Sequence, residues 1–164
     1  MANDNKQEII DKKLYELSKH FPNNEVSWRP GRTFQSKKDG KHYSLGLAYL
    51  SVRQVQDRLS EVMGANWQCN HTVYGSKTIC SLGLKFDEEW IWRSDGAGDT
   101  NFEADKGGIS DSLKRAGVAW GIGRYLYDLK NTYVPCQVNA SGKHVKFSVD
   151  PWDIVRKTQS DFGV

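Results

Sequence analysis

Only three of the 164 residues are cysteines, Cys69, Cys80 and Cys136, an odd number with no C-x-x-C spacing. Neither a disulfide framework nor a zinc site is indicated, and a reducing cytosol is the expected home. No apolar run approaches the roughly 20 residues a membrane span needs. The N-terminal MANDNKQE is polar and carries no apolar signal core, so the expectation is a soluble cytoplasmic protein with no membrane partner. There is no G-K-[ST], and SDGAGDT lacks the third glycine of G-x-G-x-x-G, which argues against nucleotide binding. The four histidines, His20, His42, His71 and His144, are scattered with no partner at ligand or triad spacing. No nucleophile constellation is visible. The chain reads as a non-enzyme with no cofactor and no metal.

What is present is charge, and its distribution says more than its sum. The net charge is only +3, too small for a bulk electrostatic argument. Between Trp28 and Arg58, however, seven bases (Arg29, Arg32, Lys37, Lys38, Lys41, Arg53, Arg58) face two acids. From Asp87 to Asp111 eight acids meet two bases, a net of −6, and from Leu113 to Lys130 the balance returns to +3. A step of this kind suggests a surface that meets an anion on one side and a cationic partner, such as another copy of itself, on the other.

The length fits a single domain over 1–164, with enough apolar content for one core. Ile10, Leu14, Leu17 and Phe21 make one stripe of an N-terminal helix, about 6–21, that Pro22 ends. VSWRPGRTF and HYSLGLAYL read as extended, with KKDGK as an exposed turn between them. Ser51 to Met63 is helical, with Ser51 as N-cap, Val52, Val55, Leu59 and Val62 on one face, and Gly64 closing it. NWQCNHTVY, KTICSLGLKF and EEWIWRS then read as an antiparallel meander turning at Gly75-Ser76 and near Asp87-Glu88. Cys80, Leu82, Leu84 and Phe86 share one face of its middle strand; Ile79, Ser81, Gly83 and Lys85 share the other. After a turn over Gly96 to Thr100, a helix from about Glu103 places Ile109, Leu113, Ala116 and Trp120 on one stripe as a cover for the sheet. Gly121 and Gly123 break it, and Arg124 to Leu129 resumes a helical turn. The extension over 131–164 holds a hairpin around Ser141-Gly142 and a short segment after Pro151.

Lys114 and Arg115 are the leading functional candidates. Helical rotation leaves Lys114 on the flank of the apolar stripe and Arg115 nearly opposite it, so two cations project from one rigid element. Alone, such a pair is a solvated helix face; beside a second basic helix and an aromatic-rich sheet it points to phosphate. Arg53 lies on the flank of the Ser51 helix, where Asp57 is within ion-pair spacing. Arg29 and Arg32 flank Pro30 and Gly31 on a loop, suited to phosphate contact or to plain solvation. Most of the aromatics belong to the core, with a minority free to stack on bases. Asp95, Asp99, Glu103 and Asp105 could gather Mg²⁺ in a nuclease, although Asp99 or Thr100 capping a helix accounts for them locally.

The ordered run of LAYLSVRQVQDRLSEVMGANWQ, the meander, and WRSDGAGDTNFEADKGGISDSLKRAGVAWGIGRYLYDL resembles the Rad52/Rad22 single-strand annealing superfamily, its small phage and bacterial members above all. The similarity runs from Trp28 to about Leu129, and its LKRA and GIGRYLYDL elements are the most specific. The resemblance implies an α+β fold, with a β-β-β-α core over about 28–130 and an antiparallel sheet packed on a long helix. It further implies assembly into rings or helical filaments, and single-stranded DNA held in an outer basic groove without nucleotide hydrolysis. By position it assigns Lys114 and Arg115 to the groove, with Lys106 two turns earlier and Arg53 on the preceding helix. Lys130 falls near a basic position of a second, outer DNA site. This chain has Val118 where eukaryotic members carry another arginine and Ala65 where they carry an aromatic, so the expectation is either a lower groove affinity or one borne by Arg29, Arg32 or Lys85 instead. No counterpart of the recombinase-binding tail of those members is expected, nor is mediator activity through it. A host or phage single-strand-binding protein is a candidate partner. The rival readings are a metal-dependent nuclease built on the acids of 95–105 and an RNA-binding module using the open sheet face.

Overall fold

Ser51 stands in extended backbone, its hydroxyl accepts from Gln54 N, and the Gln54 side chain accepts in return from Ser51 N, a capping box that starts helix α2 (Val52–Met63). The computed structural model to which this helix belongs describes residues 2–98 and 104–162, with side chains for 5–98 and 107–162. Val55, Leu59 and Met63 form the buried face of α2, Val62 is half-buried, and Gly64 ends the helix at a φ of 61°. Among the described residues the fold is α+β, with four α-helices and antiparallel sheets. The chain forms two compact units, one from the residues through His20 together with Leu50–Tyr125, the other from Phe21–Tyr49 and the residues from Leu126 onward.

In the first unit, α1 (Ala2–Ser18) buries Leu17 fully and half-buries Ile10 and Leu14. It stops short of Phe21, the last residue of the expected stripe. The Arg58 guanidinium of α2 explains the stop: it donates to the carbonyl oxygens of Glu16 at 3.2 Å, Leu17 at 3.4 Å and Lys19 at 2.8 Å, satisfying groups a helix end leaves open.

The meander is present as an antiparallel sheet in the order β3 (Trp67–Tyr74), β4 (Lys77–Phe86), β5 (Glu89–Gly98). Its turns fall at Gly75 and Asp87, both with positive φ. Strand β5 runs past Ser94, so Gly96 to Gly98 is strand where the glycines predict a turn. The cause is pairing: β4 is ten residues long, and Ile79 and Lys77 still face Gly96 and Gly98 across the ladder. Cys80, Leu82, Leu84 and Phe86 are buried on one face of β4. Helix α3 (Ala104–Ala119) covers that face, and just beyond it the Trp120 indole N–H donates to the Leu82 carbonyl at 3.0 Å.

Leu113, Ala116 and Trp120 are buried as the periodicity predicts, but Ile109 is 50 % exposed. Gly108 takes the inward position instead, because a Cβ there would lie 2.7 Å from Thr78 Oγ1. Gly121 and Gly123, at φ of 96° and 70°, end the helix ahead of a 3-10 turn over Arg124–Asp128. The proposed caps Asp99 and Thr100 lie outside the described residues.

The second unit is a four-stranded antiparallel sheet in the order β1 (Ser27–Gln35), β2 (His42–Tyr49), β6 (Thr132–Val138), β7 (Val145–Phe147). Pro30 sits on edge strand β1, where its missing N–H interrupts no inner ladder, and the register shifts between Pro30 and Thr33. Helix α4 (Pro151–Thr158) begins at an Asp150 cap with proline in its first turn, and its Trp152 meets Trp28 edge to face at 5.2 Å.

Candidate nucleic-acid interface

Leu113 and Ala116 anchor α3 to the sheet, so the two residues between them are carried at the surface. Lys114 pairs with Asp111 at 3.1 Å. Arg115 does not stand opposite the sheet: its Nε reaches Asp95 of β5 at 3.1 Å, which places it on the flank of the helix. The strand extension through Asp95 creates that partner, since Asp95 faces Cys80 on the side α3 covers. Asp95 also accepts from Gly96 N at 2.7 Å, so the acid is committed to local structure.

Gly117 brings α2 alongside; a Cβ there would lie 2.9 Å from Val55 Cγ1. Arg53 is two residues before Val55 and Lys114 three before Gly117, so both belong to the turns nearest this contact. Arg53 is exposed, and its side chain makes no hydrogen bond or ion pair among the described residues, Asp57 included. The side chain of Lys106 lies outside the described residues.

Lys85 is not brought to this group. Strand alternation turns it to the face of β4 away from α3, where it pairs with Glu88 at 3.3 Å. There it lines a cleft of about 500 Å³ with Lys6 and Lys13 of α1. No sequence signal connects Lys85 with Lys6 and Lys13, which lie more than seventy residues before it. The same open face carries Trp90 and Trp92, ring centroids 6.0 Å apart, with Trp92 lying over the bare Cα of Gly83.

Two other arginines of the charge pattern are used structurally. Arg93 donates to Ala119 O at 2.6 Å and lies 4.2 Å from the Trp120 ring centre, while Arg124 donates to the carbonyls of Val118 and Ala119, closing the end of α3.

In the second unit Arg29 and Arg32 are exposed on β1, a strand rather than the expected loop. Gly46 pairs with both Pro30 and Thr132, so Arg29 and Lys130 lie toward the same end of that sheet, with β2 between them. The Lys130 backbone is fixed on both sides by the Gln159 amide, at 2.8 Å and 3.2 Å, and its side chain is exposed.

Residues 78–145 match the family described as Rad52/22 family double-strand break repair protein. Over that segment the chain is similar to the Rad52/Rad22 family. The family match covers β4, β5, α3 and β6, and with them Lys85, Lys106, Lys114, Arg115 and Lys130. Two bacterial relatives agree. The chain is 34 % identical over 115 residues to single-stranded DNA-binding protein DdrA of Deinococcus radiodurans, covering 69 % of this chain and 53 % of the relative. It is 32 % identical over 120 residues to DdrA of Deinococcus deserti, covering 72 % and 58 %. The chain spans somewhat over half the length of these curated relatives. No solved structure matches it. No helix among its described residues is long and apolar enough to cross a membrane.

Proposed function

We propose that this chain binds single-stranded DNA and anneals complementary strands in recombination and repair, as a binder and not an enzyme. In this reading β3, β4, β5 and α3 form the annealing core. Arg53, Lys106, Lys114 and Arg115 hold the phosphate backbone, which leaves base edges free to test registers. Arg29, Arg32, Lys85 and Lys130 add further phosphate contacts, and copies of the chain join into a ring or helical filament. The observation that carries the reading is the adjacent Lys114–Arg115 pair, held at the surface of α3 inside the segment that matches the family. Neutralising the backbone and bringing two strands onto one scaffold lowers their repulsion and raises their local concentration.

The test is incubation with labelled single-stranded oligonucleotides in Mg²⁺ or Mn²⁺. Bound, full-length DNA is expected. Cleavage that disappears in Asp95→Ala would overturn the reading in favour of a nuclease. The Trp90–Trp92 pair supports a second reading, in which the open face of β3 to β5 stacks bases, RNA included. Under that reading Trp92→Ala would lower affinity for oligo-U more than for oligo-dT.

A further inference from the structure

Cys69 and His71 are two residues apart on β3, so strand alternation puts them on one face, and the register sets His71 directly across from Cys80 of β4. One ligand atom from each of the three lies within 4.8 Å of the other two. Cys80 is fully buried, while Cys69 and His71 are half-buried. A path from solvent to the cluster therefore runs past β3, an edge strand. His71 Nε2 is itself buried and makes no hydrogen bond among the described residues. A buried polar nitrogen without a partner calls for an explanation, and an unseen ion is one of the standard ones.

We infer that Cys69, His71 and Cys80 form a transition-metal site, of Zn²⁺ type, that ties β3 to β4. Two sulfurs and an imidazole are the soft and borderline donors that select such an ion, and no carboxylate is present to favour Ca²⁺ or Mg²⁺. Around a tetrahedral ion with bonds of about 2.0–2.3 Å, ligand atoms stand roughly 3.3–3.8 Å apart. The three atoms, all within 4.8 Å of one another, would have to close by roughly 1 Å to reach that spacing. Three protein ligands leave a fourth position, which water fills from the half-exposed side. Burial raises the Cys69 thiol and pushes Cys80 up to about 12, so the ion must displace both thiol protons to solvent. A Cys69–Cys80 disulfide would use the same sulfurs but would leave His71 Nε2 without a partner, whereas the metal uses all three groups. The linear spacing hides the site because it is made by hairpin register and not by a C-x-x-C loop. The inference is independent of the nucleic-acid reading.

The test uses the full chain, reduced and then dialysed against Zn²⁺, with metal content measured and Co²⁺ added separately to follow thiolate-to-cobalt charge-transfer absorption. Equimolar Zn²⁺, a thiolate band with Co²⁺ and a raised melting temperature are expected. Cys69→Ser and His71→Gln, each checked by circular dichroism, should weaken Zn²⁺ binding by about a hundredfold or more, since losing a ligand costs at least as much as losing one of its outer-shell partners. Cys136→Ala, in the other unit, should bind as the wild type does. Three outcomes overturn the inference: no stoichiometric Zn²⁺ in the fully reduced chain, Zn²⁺ retained unchanged in both variants, or a Cys69–Cys80 disulfide in protein purified without reductant.

Discussion

Arg115 and Lys114 reach the surface already engaged with acids, and the strength of those engagements decides whether they can serve a phosphate. The Arg115 and Asp95 side chains are 50 % and 37 % exposed, and an ion pair in that setting contributes at most about 1 kcal/mol. Competing with Asp95 is therefore cheap for a DNA phosphate, while the pair still orients the guanidinium in the free protein. Lys114→Ala or Arg115→Ala should leave circular dichroism unchanged and weaken binding to all sequences alike. The log–log salt dependence should fall by about 0.7 for each single-strand phosphate that is no longer neutralised. Fluorescence anisotropy over a salt series checks this, and unchanged affinity and slope in both variants would remove the pair from the interface. Asp95→Asn is expected to act oppositely, tightening binding by freeing Arg115.

Among the elements, α2 and α3 meet where Gly117 leaves no room beyond hydrogen. Alanine is the better helix former by about 1 kcal/mol, so propensity alone predicts that Gly117→Ala stabilises α3. The added Cβ would sit 2.9 Å from Val55 Cγ1, and Val55 is only 2 % exposed. Overpacking of this kind costs roughly 1–3 kcal/mol and should win. Urea unfolding is expected to show net destabilisation, together with weaker DNA binding if α2 shifts Arg53. A stabilised variant would contradict the close approach. Elements of this kind were legible where local signals agreed with tertiary structure: Ser51 and Gly64 bracket α2, and alternation with turn residues marks β3 and β4. They were illegible where a distant group decided. Arg58 ends α1 from another helix, and the β4 ladder draws Gly96 to Gly98 into β5 against their propensity. The candidate cations followed the same division. Lys114 and Arg115 could be read as a surface pair, but the flank on which Arg115 lies depends on Asp95, hence on that strand extension.

At the scale of the whole molecule, the charge step between the acidic 87–111 segment and the basic 113–130 segment suggests head-to-tail assembly through opposite charges. Part of that complementarity is already used within one copy: Asp95 holds Arg115, Asp111 holds Lys114, and Asp87 holds Lys6 at 3.3 Å. The strands that remain open at their edges are β3 and β5 in one sheet and β1 and β7 in the other. Edge pairing between copies is therefore the better-supplied contact, and it resists salt where surface charge pairs do not. We expect a ring or helical oligomer well above dimer size that persists at high salt. Mass photometry giving only monomer or dimer, both free and with single-stranded DNA, would exclude that architecture. The most direct test of the reading as a whole is annealing itself: two complementary labelled oligonucleotides, no ATP, and the wild type beside the Lys114→Ala, Arg115→Ala double variant. The prediction is rapid duplex formation with the wild type and a rate near the protein-free one with the variant. A wild type that does not speed annealing, or a folded double variant that anneals as fast, would contradict it.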